Sequence, residues 1–377
     1  AAVRKGNEKV IRPRFADAEF FWQQDLKHKL ADYLPRLEHV VYQEKLGSVA
    51  VKTRRLEALG RALAPVCGAD ADNVATAAHI SKSDLLTEMV MEFPELQGLM
   101  GRYYAAAEGY AADIAAALDE QYQPRGAGGA LPQTRTGLAL AIAEKLDTLV
   151  GGFAIGAKPT GSKDPYALRR MAISLIRLIT ENELALPLAA WLDKSAAQYD
   201  AALGAPIHVA AVREYILERL DSHYREQGIR SETCQAVLAL GSDDLVDIER
   251  RIRALDAFAG SPSATSLLAS AKRIRNILKK NGERNEAVAA DRLLEPAEQA
   301  LWQNWQTLAP AIDAELQKSD YRAALEQLAT LGAPLDAFFT DVMVMSDDPA
   351  LQQNRLALLT TLQRGFDQIA DLSLLSE

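Results

Sequence analysis

The densest chemistry in this chain is a run of cations. Between residues 250 and 280, Arg250, Arg251, Arg253, Lys272, Arg273, Arg275, Lys279 and Lys280 stand against one acid, Asp256. Such side chains bind anions, and charges spaced along one helix face suit a polyanionic backbone, because each neutralised phosphate releases counterions. Within residues 271–280, Ala271, Ile274, Ile277 and Leu278 recur at helical spacing as a core stripe. That stripe puts Lys272, Arg275 and Lys279 on the far face of the helix. Lys280 adds a further charge, and Arg273, Arg275 and Asn276 supply polar groups for contacts with unpaired bases. A second cationic group, Lys158, Lys163, Arg169 and Arg170, flanks a predicted helix start, where backbone amides also favour an anion such as an RNA phosphate. The bland alternative there is a solvated loop whose arginines pair with nearby acids.

Other segments imitate chemistry without meeting its requirements. Gly156-Ala-Lys-Pro-Thr-Gly161-Ser162-Lys163 nearly matches a phosphate-cradling loop, but the final pair is inverted and no strand precedes it, so the lysine is misplaced for β- and γ-phosphates. Phe338-Phe339 with Val342-Met-Val-Met345 suggests an aromatic RNA platform; apolar residues at helical spacing are more often core, and core is the expectation. Ser346-Asp347-Asp348-Pro349 reads as a helix end followed by a new N-cap, since two adjacent acids alone do not make a divalent-ion site. Cys67 and Cys234 lack partners at metal-ligand spacing, which argues against structural zinc and suits a reducing compartment.

The elements that must position these groups are helices. Alanine and leucine dominate, period-two alternation is nearly absent, and stretches such as residues 136–147 repeat apolar residues every three or four positions. The 377 residues predict an all-α protein of several helical domains, at 49% hydrophobic composition. Two Gly/Pro-rich stretches, 123–132 and 151–162, read as interhelical loops, and Asp164-Pro165 as an N-cap and first helical residue. Junctions near Leu184–Pro187 and Gly241–Leu245 divide the chain into 1–185, a helical connector 186–249, and 250–377. No apolar run approaches the roughly 20 residues of a membrane span, and no signal peptide is evident, so the expectation is cytoplasmic with no membrane partner. The net charge of −9 means that RNA contact must use local basic patches on an acidic body.

Several blocks carry a resemblance. The opening Arg4-Lys-Gly-Asn-Glu-Lys-Val-Ile-Arg-Pro-Arg-Phe-Ala-Asp-Ala-Glu-Phe-Phe21 is similar to the segment that begins the second half of bacterial glycyl-tRNA synthetase beta subunits. So are Leu34-Pro-Arg-Leu37, Glu92-Phe-Pro-Glu-Leu-Gln-Gly-Leu-Met-Gly101, Lys163-Asp-Pro-Tyr-Ala-Leu-Arg-Arg170, and Phe338 to Asp348 running on to Asn354-Arg355. The resemblance runs through the whole chain in order. It implies the C-terminal portion of a tRNA-binding subunit of glycine–tRNA ligase, without catalytic residues or cofactor of its own. ATP and magnesium would be used at the alpha subunit of an alpha2beta2 heterotetramer; tRNA-Gly and that subunit are the implied partners, and DNA is not.

Residues of about 20–185 further resemble the helical HD phosphohydrolase fold. That fold's site needs two histidines and two aspartates around a metal; the matching positions here are Lys52, Ser83, Asp84 and Asp147. An ammonium cannot ligate a metal and serine is a poor ligand, so a relic is implied in which Asp84 and Asp147 pair with Lys52, while His79 packs or faces solvent. The competing functional reading is a metal-dependent HD-type phosphohydrolase acting on nucleotides. Residues 271–280 also resemble the Lys-Arg-Ile-x-Asn-Ile-Leu stretch of arginyl-tRNA synthetase anticodon-binding domains, implying a bundle that reads a glycine anticodon ending in two cytosines.

Overall fold

The computed structural model describes residues 2–126, 128–160, 163–199, 203 and 207–375. Among these, helices account for nearly all regular structure; the sheet is one short antiparallel hairpin, Val41–Gln43 with Gly47–Ser48. No helix is long and apolar enough to cross a membrane among the described residues. By internal contacts the chain forms two compact units, Ala1–Arg219 and Leu220–Glu377. The stretch 186–249, read from sequence as a connector, is thus shared between them, the boundary falling inside the Val209–Arg225 helix.

The first unit is organised around the Arg135–Ala154 helix, which is buried on almost every side. The helices Val49–Cys67, Ala112–Glu120, Leu168–Thr180 and Leu188–Ala196 all pack on it. Such a helix needs small and apolar residues all round, which its Leu-Ala-Leu-Ala-Ile-Ala run supplies. Polar residues outside the helices start them: Ser48, Asp70 and Thr134 each accept backbone N–H bonds from the first turn that follows. The described residues of the 123–132 stretch form the expected loop before this helix. The 151–162 stretch is not all loop, because Gly151 to Ala154 complete the helix. Gly152 is buried there because Leu168 packs where a Cβ would sit, 2.8 Å from that position. The expected helix start at Pro165 is also displaced. Asp164 does cap, accepting from Leu168 N at 2.8 Å and Arg169 N at 3.0 Å, but the helix begins at Leu168 and Pro165 lies in the turn before it.

The second unit is a helical bundle. Leu245–Ala259 packs on Ser231–Leu238 and Tyr321–Ala329, while Pro296–Gln317 packs on Tyr321–Ala329 and Gly332–Asp341. The Ala264–Asn281 helix is seated on Gly332–Asp341, on Pro349–Asp367 and on the turn Leu372–Leu374. Asp348 caps Pro349–Asp367 through Ala350 N and Leu351 N, with Pro349 at the first position, as the Ser-Asp-Asp-Pro sequence predicts.

Candidate functional site

The buried charged cluster of the first unit is built from two helix faces. Lys52 and Arg55 lie one turn apart on Val49–Cys67, and Glu144, Asp147 and Thr148 share one face of Arg135–Ala154. Lys52 Nζ lies 2.9 Å from Asp147 Oδ2 and 3.1 Å from Glu144 Oε1. Arg55 Nε donates to Asp147 Oδ1 at 2.6 Å, and Tyr199 Oη donates to the same carboxylate at 2.9 Å. Lys82 Nζ completes the cluster 3.2 Å from Glu144 Oε2 and over the Tyr122 ring at 4.3 Å. Burial alone would push the Asp147 carboxyl up and the Lys52 ammonium down. The opposite charges overcome it in both, holding Asp147 below and Lys52 well above their ordinary values. Lys82, with less compensation, is pulled down.

Asp84 does not join Lys52 as expected. Its Oδ2 instead accepts from the backbone N–H groups of Gly98 at 2.6 Å and Gly101 at 3.1 Å. This explains the two glycines of the Glu92–Gly101 block. Gly98 has φ +83°, and a Cβ there would meet the Tyr122 ring at 2.6 Å; one on Gly101 would press on Asp84 at 3.1 Å. Ser83 is fully buried beside it. His79 is exposed, with Nδ1 3.4 Å from Glu57 Oε2. The carboxylates of Asp147 and Glu144 are thus neutralised by Lys52, Arg55 and Lys82. The phosphohydrolase alternative gains no support. Among the described residues no group of three or more His, Cys, Asp or Glu is placed to hold a metal.

Beside this cluster, Lys145 Nζ donates to the carbonyls of Gln121 and Gln123 at 2.7 and 2.8 Å, and burial pushes its pKa down to about 7. In the unfolded chain it titrates near about 10.4. A lowered lysine pKa means that the unfolded state binds the extra proton between these values, so stability rises with pH across that window. We expect the first unit to gain stability from pH 7 to 9, approaching about 1.4 kcal/mol per pH unit from this group. Lys145→Met should remove that rising contribution in denaturant titrations and leave the opposing one of Cys67, whose thiol burial pushes up to about 12, so that it lowers stability as pH climbs past about 8.5; equal slopes in both proteins would refute the assignment.

In the second unit, some charges of the basic run are held by neighbouring groups and others border a groove, where Lys272 is half-buried and already engaged. Arg251 bonds Asp247 and the carbonyl of Ile369 and covers the Tyr321 ring; Arg253 bonds Glu249 and Gln227. Arg275, expected on an open face, lies between Asp367 at 2.8 Å and Asp371 at 3.0 Å. The far face of the isolated helix is covered at that point by the end of Pro349–Asp367 and the turn after it, which sequence periodicity cannot foresee. The open side is the adjacent stripe. Lys272, Arg273, Asn276 and Lys280 line a groove of about 470 Å³ together with Ala269, Ile277, Asn281 and Met345. Lys279 is exposed outside that lining.

The 338–345 segment is half core. Phe338, Val342 and Val344 are buried, whereas Met343 and Met345 are exposed at 74% and 42%. The Arg273 guanidinium sits 4.2 Å above the half-buried Phe339 ring. The sequence signal for this was alternation in Val-Met-Val-Met, a period-two pattern inside an otherwise helical chain. At the second cationic group, Lys163 and Arg170 are exposed and Arg169 is half-buried and already engaged. Gly161 and Ser162 of the phosphate-loop lookalike lie outside the described residues.

Comparison with known proteins now bears on these two sites. The family described as glycyl-tRNA synthetase beta subunit matches residues 1–239, and the DALR anticodon binding domain matches residues 267–372. A glycine–tRNA ligase beta subunit of Dichelobacter nodosus is 61% identical over 374 residues, covering 99% of this chain and 54% of its own length. Those of Methylobacillus flagellatus and Pseudomonas aeruginosa are 45% and 46% identical, covering 100% and 99% of this chain and 54% and 55% of their own. The chain spans about half the length of the curated relatives it matches.

Proposed function

Since the chain belongs to the glycyl-tRNA synthetase beta-subunit family, we propose that it is a tRNA-holding part of a glycine–tRNA ligase, its second unit engaging the anticodon of tRNA-Gly. The observation that carries this reading is the cationic groove of the Ala264–Asn281 helix, most of which lies within the region matching the anticodon binding domain. Lys272 and Lys280 border the groove and Lys279 is exposed next to it, which suits phosphates; Arg273 and Asn276, which also line it, are assigned to bases. Arg275 is assigned to holding the bundle together. Lys163, Arg169 and Arg170 remain a proposed secondary contact to RNA backbone. ATP, magnesium and glycine are assigned to an alpha subunit, in an alpha2beta2 assembly in the cytoplasm. This chain contributes rate by placing the tRNA, since correct positioning supplies effective molarity for transfer of the activated amino acid.

The test is binding of the chain to tRNA-Gly across a salt series, beside a tRNA whose two anticodon cytosines are changed. Lys272→Ala/Lys280→Ala should weaken binding roughly tenfold or more and lower the salt slope by about 2, one per phosphate contact. Arg275→Ala should leave the slope unchanged and cost only about 1 kcal/mol of stability, since its pair is partly exposed. An unchanged slope in the double variant, or equal binding of both RNAs by the parent chain, would overturn the placement of anticodon readout in this groove.

A further inference from the structure

A cavity of about 220 Å³ opens beside the buried charged cluster of the first unit, lined by the turn of the short hairpin and by chain around Tyr199. Of Lys52, Arg55, Lys82, Glu144 and Asp147, only Arg55 lines it. A guanidinium carries its five N–H donors along fixed edges. The Nε–Nη2 edge of Arg55 faces Asp147, at 2.6 Å to Oδ1 and 3.3 Å to Oδ2, and Nη1 donates to the Leu46 carbonyl at 3.3 Å. One hydrogen on each Nη then has no acceptor among the described residues. The Tyr199 ring lies 4.3 Å from the guanidinium carbon and its hydroxyl bonds Asp147, so the group is held flat from below and from one edge. The remaining Nη1–Nη2 edge is a planar fork ordered before any ligand arrives, the geometry that takes a carboxylate. Asp147 does not oppose this by excess charge. It is shared with Lys52, Lys82 pairs with Glu144, and Asp84 turns to backbone amides.

We propose that this cavity binds a short-chain carboxylate, its oxygens on the free Nη1–Nη2 edge of Arg55 and its hydrocarbon part against the side chains of Leu46, Val51 and Leu203. The inference concerns a different part of the molecule from the RNA groove and does not rest on the RNA reading. Volume sets the size of the ligand: the cavity is smaller than the roughly 300–1,000 Å³ of pockets for drug-sized molecules, and suits a carboxylate with a few carbons. Wall chemistry sets the class. Inorganic phosphate would leave the apolar walls unused, and a purely apolar ligand would leave two N–H groups without acceptors in a space already mostly closed to water. Exposed Lys45 and Glu44 also line the cavity, at the hairpin turn. Lys45 attracts an anion and Glu44 repels it, so the two make predictions of opposite sign.

The experiment titrates the 377-residue chain with acetate, isobutyrate and inorganic phosphate at constant ionic strength, by calorimetry. Isobutyrate should bind saturably, and more tightly than acetate by roughly fourfold for each added carbon that is buried. Phosphate should bind more weakly than isobutyrate. Lys45→Ala should weaken isobutyrate binding roughly threefold, and Glu44→Gln should strengthen it by a similar factor. Both side chains are exposed, so neither change threatens the fold. Arg55→Lys keeps the charge and loses the fork, and should weaken binding about tenfold or more. Because Arg55 also holds Asp147, that variant is read beside its unfolding midpoint, and the Lys45 and Glu44 variants decide the matter if it does not fold. Absence of saturable binding, equal affinity for acetate and isobutyrate, or indifference to both Lys45→Ala and Glu44→Gln would each overturn the carboxylate site. Phosphate bound more tightly than isobutyrate would overturn it too, leaving a plain anion site.

Discussion

Asp147→Ala is expected to destabilise the first unit by about 3–5 kcal/mol, a large part of the roughly 5–15 kcal/mol that holds a typical domain together. Asp147 is 1% exposed and is the counter-ion of both Lys52 and Arg55, which are 2% and 5% exposed. Removing it leaves Arg55 without a carboxylate and Lys52 sharing Glu144 with Lys82, in a space closed to water, at a cost exceeding the value of the pair itself. Lys52→Met should cost far less, about 1–2 kcal/mol, because Asp147 keeps Arg55 and Tyr199 while Glu144 keeps Lys82. The Asp147 carboxyl is held below its ordinary value, so its contribution is present above about pH 4 and is lost as pH falls through the folded value. Lys52, raised well above its ordinary value, contributes below about pH 10.4 and loses this only at more alkaline pH. Both are therefore fully in force at neutral pH. Hydrogen exchange in Val49–Cys67 and Arg135–Ala154 reports on this unit separately from the other. If Asp147→Ala changes protection there by under about 1 kcal/mol, the cations find solvent and the closed cluster is wrong.

The corresponding change in the second unit is Arg355→Ala, expected to cost about 3 kcal/mol or more. Arg355 and Glu298 are 5% and 0% exposed, with Arg355 Nε 2.8 Å from Glu298 Oε2 and Nη2 3.3 Å from Oε1. Its Nη1 donates to the Met343 carbonyl at 2.9 Å, so the residue ties Pro349–Asp367 both to the start of Pro296–Gln317 and to the groove lip. Arg355→Lys should recover little, since an ammonium cannot reproduce two parallel bonds and the third contact together. The same substitution should weaken RNA binding beyond its effect on stability, because Met345 loses its anchored neighbour. Denaturant midpoints and tRNA affinity measured on one preparation separate the two effects. A stable Arg355→Ala protein with unchanged affinity would show that the lip holds itself in place.

Much of the architecture was legible in local sequence. The three- and four-residue apolar spacing of residues 136–147 announces a helix, and capping residues such as Asp164 and Asp348 mark turns of chain whose amides need partners. That Lys52 and Ser83 are unsuited to holding a metal could be read from residue type alone, because an ammonium repels a cation in any fold. The concentration of positive charge between residues 250 and 280 was equally plain, and it located the groove to within two helices.

Which of those charges are open to a ligand was decided only by tertiary structure. Helical periodicity assigns faces relative to one core, yet Ala264–Asn281 meets neighbours on more than one side, so Arg275 met Asp367 and Asp371 from distant sequence. Arg251 and Arg253 found Asp247 and Glu249 just before the stretch counted. Asp84 likewise chose two glycine amides over Lys52, because a tight turn at Gly98 brought donors closer than the lysine. The stacking of Arg273 on Phe339 joins residues 66 positions apart in the chain. Residue types and their local spacing determined the helices, the unsuitability of Lys52 as a metal ligand and the presence of a basic helix. The pairing of charges depends on where chain packing brings side chains within a few ångströms, and only the folded structure could decide it.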